Sequence, residues 1–156
     1  MPVLNIPSLV GPLTLVEHDG DLVRLGWGDA PDDLPDGQPT PILAESARQL
    51  AAYFGGTLTK FTLPLAPRGS HYQKRIWGAM NEIPYGETWT YGLLATRAGT
   101  VPRAVGGACG ANPIPIILPC HRVIAANGKA GGFSGKGGII TKMALLDIEN
   151  RTARLL

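Results

Sequence analysis

Cys120 and His121 stand side by side, directly after Pro119 and the apolar run Ile114-Pro115-Ile116-Ile117-Leu118. A strand-like segment ending there delivers a thiol and an imidazole to one place. Together they make a nucleophile, because the thiolate is the reactive form of cysteine and a nearby imidazole takes its proton or stabilises its charge. Alone, a cysteine in apolar company is more often a small packing residue. What separates the two readings is whether the chain also supplies a carboxylate behind the imidazole and a surface that brings substrate to the sulfur. No metal site is indicated, since His18, His71 and His121 form no cluster at zinc-ligand spacing and two cysteines build no disulfide framework.

The surrounding residues carry a resemblance. Asn112-Pro113-Ile114-Pro115-Ile116-Ile117-Leu118-Pro119-Cys120-His121-Arg122-Val123-Ile124 resembles the active-site signature of the O6-alkylguanine-DNA alkyltransferases. Ile83-Pro84-Tyr85-Gly86-Glu87-Thr88-Trp89-Thr90-Tyr91-Gly92 is similar to that family's entry into its helix-turn-helix, and Arg103-Ala104-Val105-Gly106-Gly107-Ala108 to its recognition helix. The blocks run in family order from Tyr72 to Glu149, about half the chain. The resemblance implies direct-reversal repair, a methylated-DNA–[protein]-cysteine S-methyltransferase reaction that moves the alkyl group of O6-alkylguanine, and of O4-alkylthymine, onto the protein's own cysteine once. It further implies double-stranded DNA as partner, no cofactor, a monomer, and a cytoplasmic location that is nucleoid-associated in a prokaryote.

Residue by residue, the resemblance makes Cys120 the alkyl acceptor, His121 the group that takes the thiol proton through a water, and Glu149 the carboxylate that holds the imidazole. Tyr91 matches a tyrosine that assists the leaving guanine, and Ser134, with Phe133 in place of a frequent tyrosine, matches the substrate wall near O6. Asn112 matches the residue that ties the helix-turn-helix to the active-site turn. The backbone carbonyls of Cys120 and Val123 match those that accept from the guanine amine. Arg103 matches the arginine that fills the stack when the nucleotide is extruded, and Ala104, Gly106 and Gly107 match the face laid in the minor groove. Extrusion is needed because a base's reactive atom is out of reach inside a duplex.

Those groups need elements to position them, and the chain reads as two units, 1–68 and 69–156. In the first, Leu13-Thr14-Leu15-Val16 and Leu22-Val23-Arg24-Leu25-Gly26-Trp27 flank the turn cluster His18-Asp19-Gly20-Asp21 as a hairpin. Ile42 to Phe54 has helical spacing and stops at Gly55-Gly56, and Thr57 to Leu65 reads as a further strand. In the second, helices are expected over His71 to Ile83, Tyr91 to Ala98 and Arg103 to Ala111, with Pro102 opening the last at a position proline favours. The resemblance implies an α/β fold: a small N-terminal α/β domain with an antiparallel sheet, ribonuclease-H-like, and a mainly helical, winged-helix-like domain holding the helix-turn-helix.

Charge divides along the same line. Residues 1–68 carry four basic and eight acidic side chains, and residues 69–156 carry ten basic and four acidic, so a net −4 half precedes a net +6 half. That asymmetry suits a second half that meets a polyanion. The third helix has Gly106, Gly107 and Gly110, each costing ~1 kcal/mol against alanine, and apart from Arg103 it offers no long polar side chain to read base edges. A smooth helix laid on a duplex without sequence preference accounts for both. No apolar run approaches the roughly 18–20 residues of a membrane span, and the N-terminus has no basic region before an apolar core. The chain is therefore expected to stay where it is made.

Two rivals share these residues: a lesion-binding protein that extrudes the nucleotide without chemistry, which would lack Cys120, and a cysteine hydrolase that would turn over. Arg122 is left between a phosphate contact and an anchor between the units. Cys109 is read as packing. Relative to the resembling family, the turn Gly99-Thr100-Val101-Pro102 is shortened and the loop Gly131 to Ile140 is lengthened.

Overall fold

A computed structural model of the protein describes residues 1–128 and 138–155. It divides into two compact units, Met1–Arg68 and Gly69–Leu156.

The first unit is an antiparallel sheet in the order β1 (Val3–Ile6), β2 (Leu13–His18), β3 (Asp21–Trp27). The β2–β3 hairpin closes through Asp19 at φ 50 and Gly20 at φ 84, the two positive values that a two-residue turn needs to match strand twist. The register sets Leu15 opposite Leu25 and Leu13 opposite Trp27, and Leu13, Leu15, Leu22 and Leu25 are buried. Helix α1 (Pro41–Phe54) begins at Thr40, whose hydroxyl accepts from Leu43 N, with Pro41 in the first turn; it buries Leu43, Ser46, Leu50 and Tyr53 along one stripe.

The expected strand over Thr57–Leu65 does not form. Its end makes a single parallel bridge, Leu22 to Leu65, with Leu22 N donating to Pro64 O at 2.9 Å. Pro64 has no N–H for a ladder, and farther back Thr62 N donates instead to Gln49 Oε1 of α1 at 2.9 Å. A helix side chain thus takes the bond a neighbouring strand would have taken.

The second unit packs α2 (His71–Met80), α3 (Tyr91–Ala98), α4 (Pro102–Gly110) and α5 (Ile139–Leu155), with β4 (Trp89–Thr90) and β5 (Val123–Ile124) as a two-residue parallel pair. Ser70 and Gln73 form a reciprocal cap at the start of α2. That helix stops at Met80, short of the expected Ile83, because a residue before proline avoids helical geometry and Ile83 precedes Pro84. Gly99, at φ 70, reverses the chain after α3, and Thr100 N returns to Ala95 O at 2.8 Å. The buried Trp77 indole donates to Ala108 O at 2.8 Å and so fixes α4 to α2.

The segment before Cys120 is not a strand either. Pro113, Pro115 and Pro119 withhold backbone donors, Ile116 takes φ 74, and the only bridge there, Pro115 to Leu118, is isolated. A β-branched residue in that region is strained and persists only where its surroundings dictate it. Here they do: Asn112 Nδ2 donates to Leu118 O at 2.8 Å, Asn112 Oδ1 accepts from Ile114 N at 2.9 Å, and Ile114, Ile116, Ile117 and Leu118 are all buried. Among the described residues no helix is long and apolar enough to cross a membrane.

Candidate active site

Cys120, His121 and Arg122 make one 3₁₀ turn, which Val123 N closes by donating to Cys120 O. All three side chains are buried. Burial pushes the Cys120 thiol above its ordinary range, against the opposing pull of the Asn112 hydrogen bond, the Lys142 charge and the N–H groups of Cys120 and His121. At rest the sulfur is protonated, and it needs a base.

An imidazole follows Cys120 in the chain. His121 is fully buried, and its Nε2 lies 2.6 Å from Glu149 Oε2 on α5. Its Nδ1 is buried and makes no hydrogen bond among the described residues. Burial pushes the imidazole below its usual value; the Glu149 bond and charge oppose that, and the cations of Arg122 and Lys142 add to it. His121 is therefore neutral near pH 7.

Glu149 is drawn to that imidazole from 28 residues away. Arg122 Nε donates to Glu149 Oε1 at 2.8 Å and Nη2 to Oε2 at 3.2 Å, while Gly86 N donates to Oε1 at 3.3 Å. Burial alone would raise this carboxyl, but the bonds and charges of His121 and Arg122 outweigh it and bring it down to about 2. Since His121 is neutral, Arg122 carries the countercharge.

Lys142 was not expected from the sequence. Its side chain is fully buried, and Nζ donates to Val123 O at 2.6 Å. The signal that would have found it is spacing: Lys142, Leu145 and Glu149 fall at i, i+3 and i+7, one face of α5. Burial pushes its ammonium down, opposed by the Cys109 and Cys120 thiols. The Val123 carbonyl assigned to the substrate amine thus already accepts a bond from a buried ammonium.

Tyr91 opens α3 behind its cap Thr90. Burial, and then the proximity of Cys109 and Cys120, raises its phenol, so the hydroxyl stays protonated as a donor. Burial pushes the Cys109 thiol up to about 12, which leaves it inert. On α4, Arg103, Gly106, Gly107 and Gly110 are exposed on one face while Val105 and Ala108 are buried on the other, and Ala104 is partly covered. A Cβ added at Gly106, Gly107 or Gly110 would meet nothing within 4 Å, so internal packing does not require these glycines. Arg122, whose role the sequence left open, donates to Glu149 and, through Nη1, to Ile83 O at 2.8 Å. Phe133 and Ser134 lie outside the described residues. Among the described residues no group of three metal-ligating side chains occurs.

Comparison with known proteins gives the following. Residues 71–151 match the family model described as 6-O-methylguanine DNA methyltransferase, DNA binding domain, and residues 5–67 match the ribonuclease-like domain of the same family. The methylated-DNA–protein-cysteine methyltransferase of Mycobacterium tuberculosis H37Rv is 44% identical over 154 residues, 96% of this chain and 92% of the relative. That of Methanosarcina acetivorans is 43% identical over 148 residues, 91% and 94% of the two chains. Among solved structures, Mycobacterium tuberculosis OGT in complex with DNA has a TM-score of 0.84 at 43% identity, covering 96% of this chain and 93% of the other.

Proposed function

This chain belongs to the 6-O-methylguanine DNA methyltransferase family, and on that footing we propose that it repairs alkylated DNA by moving the alkyl group of O6-alkylguanine, and of O4-alkylthymine, onto Cys120 in a single irreversible turnover. Its activity is that of a methylated-DNA–protein-cysteine methyltransferase. The observation that carries the assignment to Cys120 is its place beside an imidazole fixed at 2.6 Å by a buried carboxylate.

In this mechanism His121 Nδ1 takes the thiol proton, directly or through a water, as sulfur attacks the alkyl carbon in line with O6. The S–C bond forms as the C–O6 bond breaks, and the electron pair of that bond leaves with the base. The Tyr91 hydroxyl, kept protonated by burial, donates a hydrogen bond to the departing base. The product is a thioether, and no group in the site reverses it. Cys120 O and Val123 O accept from the guanine amine, and the substrate wall near O6 is assigned to Phe133 and Ser134, which lie outside the described residues.

Access requires extrusion of the nucleotide. The exposed face of α4 is free of side chains beyond Cβ at Gly106, Gly107 and Gly110, which suits close approach to a minor groove, and Arg103 at its N-terminal end enters the vacated stack. The protein is proposed to act as a monomer, a reading supported by Cys120, His121, Glu149 and Tyr91 lying on one chain, and to work in the cytoplasm, at the nucleoid in a prokaryote, where its DNA partner is.

The test is intact-protein mass after incubation with duplex DNA containing O6-methylguanine. One methyl group per molecule, located on Cys120, is expected, and Cys120→Ser should abolish transfer while duplex binding survives. Repeated turnover, as a hydrolase would show, or methylation confined to Cys109, would sink the proposal.

A further inference from the structure

The buried Arg122 is not used by the mechanism above, yet its guanidinium is bonded directly to the carboxylate behind the imidazole. It donates twice to Glu149 and once to Ile83 O, and its guanidinium lies 5.6 Å from the centre of the Tyr85 ring. At 8% exposure it is not placed to meet a phosphate.

We propose that Arg122 is a positioning residue that sets where the site's protons sit: it holds Glu149 as a permanent carboxylate, locks neutral His121 as the Nε2–H tautomer, and leaves Nδ1 as the acceptor for the Cys120 proton. The role given to Nδ1 rests on the repair reading above. The tautomer does not.

Charge and donor identity fix the proton positions. A buried carboxylate needs a cation, and the neighbours of Glu149 offer two, an imidazolium or the guanidinium. An imidazolium at His121 would face Arg122 on its own turn and Lys142 from α5, two positive charges, with only Glu149 to favour it and Cys120 as a thiol alongside. The guanidinium carries no such choice, because arginine does not deprotonate in proteins. With Arg122 as the countercharge, both oxygens of Glu149 can only accept. The 2.6 Å contact to His121 must then be donated by the ring, so Nε2 carries the hydrogen and Nδ1 holds the lone pair. Removing Arg122 takes away the guanidinium and leaves the His121 imidazole bonded to a carboxylate that has lost that countercharge. The imidazole's protonated form then becomes the favoured one, Nδ1 gains a hydrogen, and the base is lost at neutral pH.

The experiment is ¹⁵N NMR of the histidine rings in the intact protein across about pH 6–8, the range in which histidine ordinarily titrates, with transfer rates measured in parallel. In the unmodified protein His121 should be neutral with the hydrogen on Nε2 throughout. In Arg122→Met its titration midpoint should rise by about one unit or more, and transfer at pH 7 should slow about tenfold and recover at higher pH, as expected when a general base is held protonated. An Nδ1–H tautomer or an imidazolium in the unmodified protein at pH 7 would overturn the proposal. So would a folded Arg122→Met protein with an unchanged His121 titration. Should that variant not fold, Arg122→Lys takes its place: retention of the Nε2–H tautomer supports the assignment, and a switch to Nδ1–H rejects it. Failure of the repair reading is told apart by the unmodified protein, which would then show the Nε2–H tautomer and no alkyl on Cys120.

Discussion

Glu149 accepts at least four hydrogen bonds on two oxygens, from His121, twice from Arg122 and from Gly86. Glu149→Gln replaces one acceptor oxygen with a donor that must face either an N–H of His121 or the Arg122 fork. The imidazole is then misoriented, and transfer to Cys120 should slow by about 100-fold or more, the scale of general-base contributions. Single-turnover quench measurements check this, and a variant with the original rate and pH profile would end the relay assignment. Cys120, His121 and Glu149 were legible in the sequence because their order and context match a motif. Lys142 was not, since lysine is almost never fully buried unless paired, and its partner is a backbone carbonyl that only the fold brings within reach. The role of Arg122 was hidden for the same reason: Ile83 O and Glu149 approach it from 39 and 27 residues away.

Helix α4 spends intrinsic stability on three glycines that nothing inside the protein demands. Gly106→Ala should therefore stabilise the protein by up to ~1 kcal/mol, read as a rise in thermal midpoint. Gly107→Leu on the same exposed face should leave reaction with free O6-benzylguanine intact and weaken binding to duplex DNA. Arg103→Ala should slow repair in a duplex far more than reaction with the free base, which needs no extrusion; equal losses on both would show that Arg103 supports the fold instead. Helical spacing and caps were readable, and α1, α3 and α4 begin and end within a residue of expectation. The two expected strands that failed, Thr57–Leu65 and Ile114–Leu118, are both interrupted by proline. In Ile114–Leu118 the hydrophobic pattern reported burial correctly, whereas no residue of Thr57–Leu65 is fully buried; in both it misread the hydrogen bonding, because the side chains of Gln49 and Asn112 replaced the missing ladder.

At the scale of the molecule, the contrast between a net −4 and a net +6 half was visible in the sequence, whereas the burial of five ionisable groups together, Cys120, His121 and Arg122 on one turn with Lys142 and Glu149 of α5, was not. Duplex binding should weaken steeply with salt, as counterion release requires, and vary little with flanking sequence. On the contributions of His121, Glu149, Cys109 and Cys120 stability should be greatest between about pH 6.5 and 9, with Lys142, whose ammonium burial pushes down from 10.5, partly offsetting the loss on the alkaline side. His121 and Glu149 hold protons more weakly when folded than when unfolded, so the stability they contribute is complete above their ordinary values of 6.5 and 4.5 and is lost as pH falls, for Glu149 down to about 2. Cys109 and Cys120 hold protons more tightly when folded, so their contribution is complete below 9.0 and is lost as pH rises, for Cys109 toward about 12. Urea unfolding across pH checks both limbs, and Cys109→Ala should flatten the alkaline one.

Gly86 meets α5 in two ways. Its N–H donates to Glu149, and at φ 79 a Cβ added there would stand 2.9 Å from Ala153 Cβ. That amide trades its hydrogen for deuterium when its bond to the carboxylate on α5 opens. Its exchange rate thus measures, in the absence of any substrate, the free energy of the local opening that dismantles the site, and a slow rate beside fast-exchanging neighbours would show that this helix stays docked for as long as the acceptor sulfur must wait for damage.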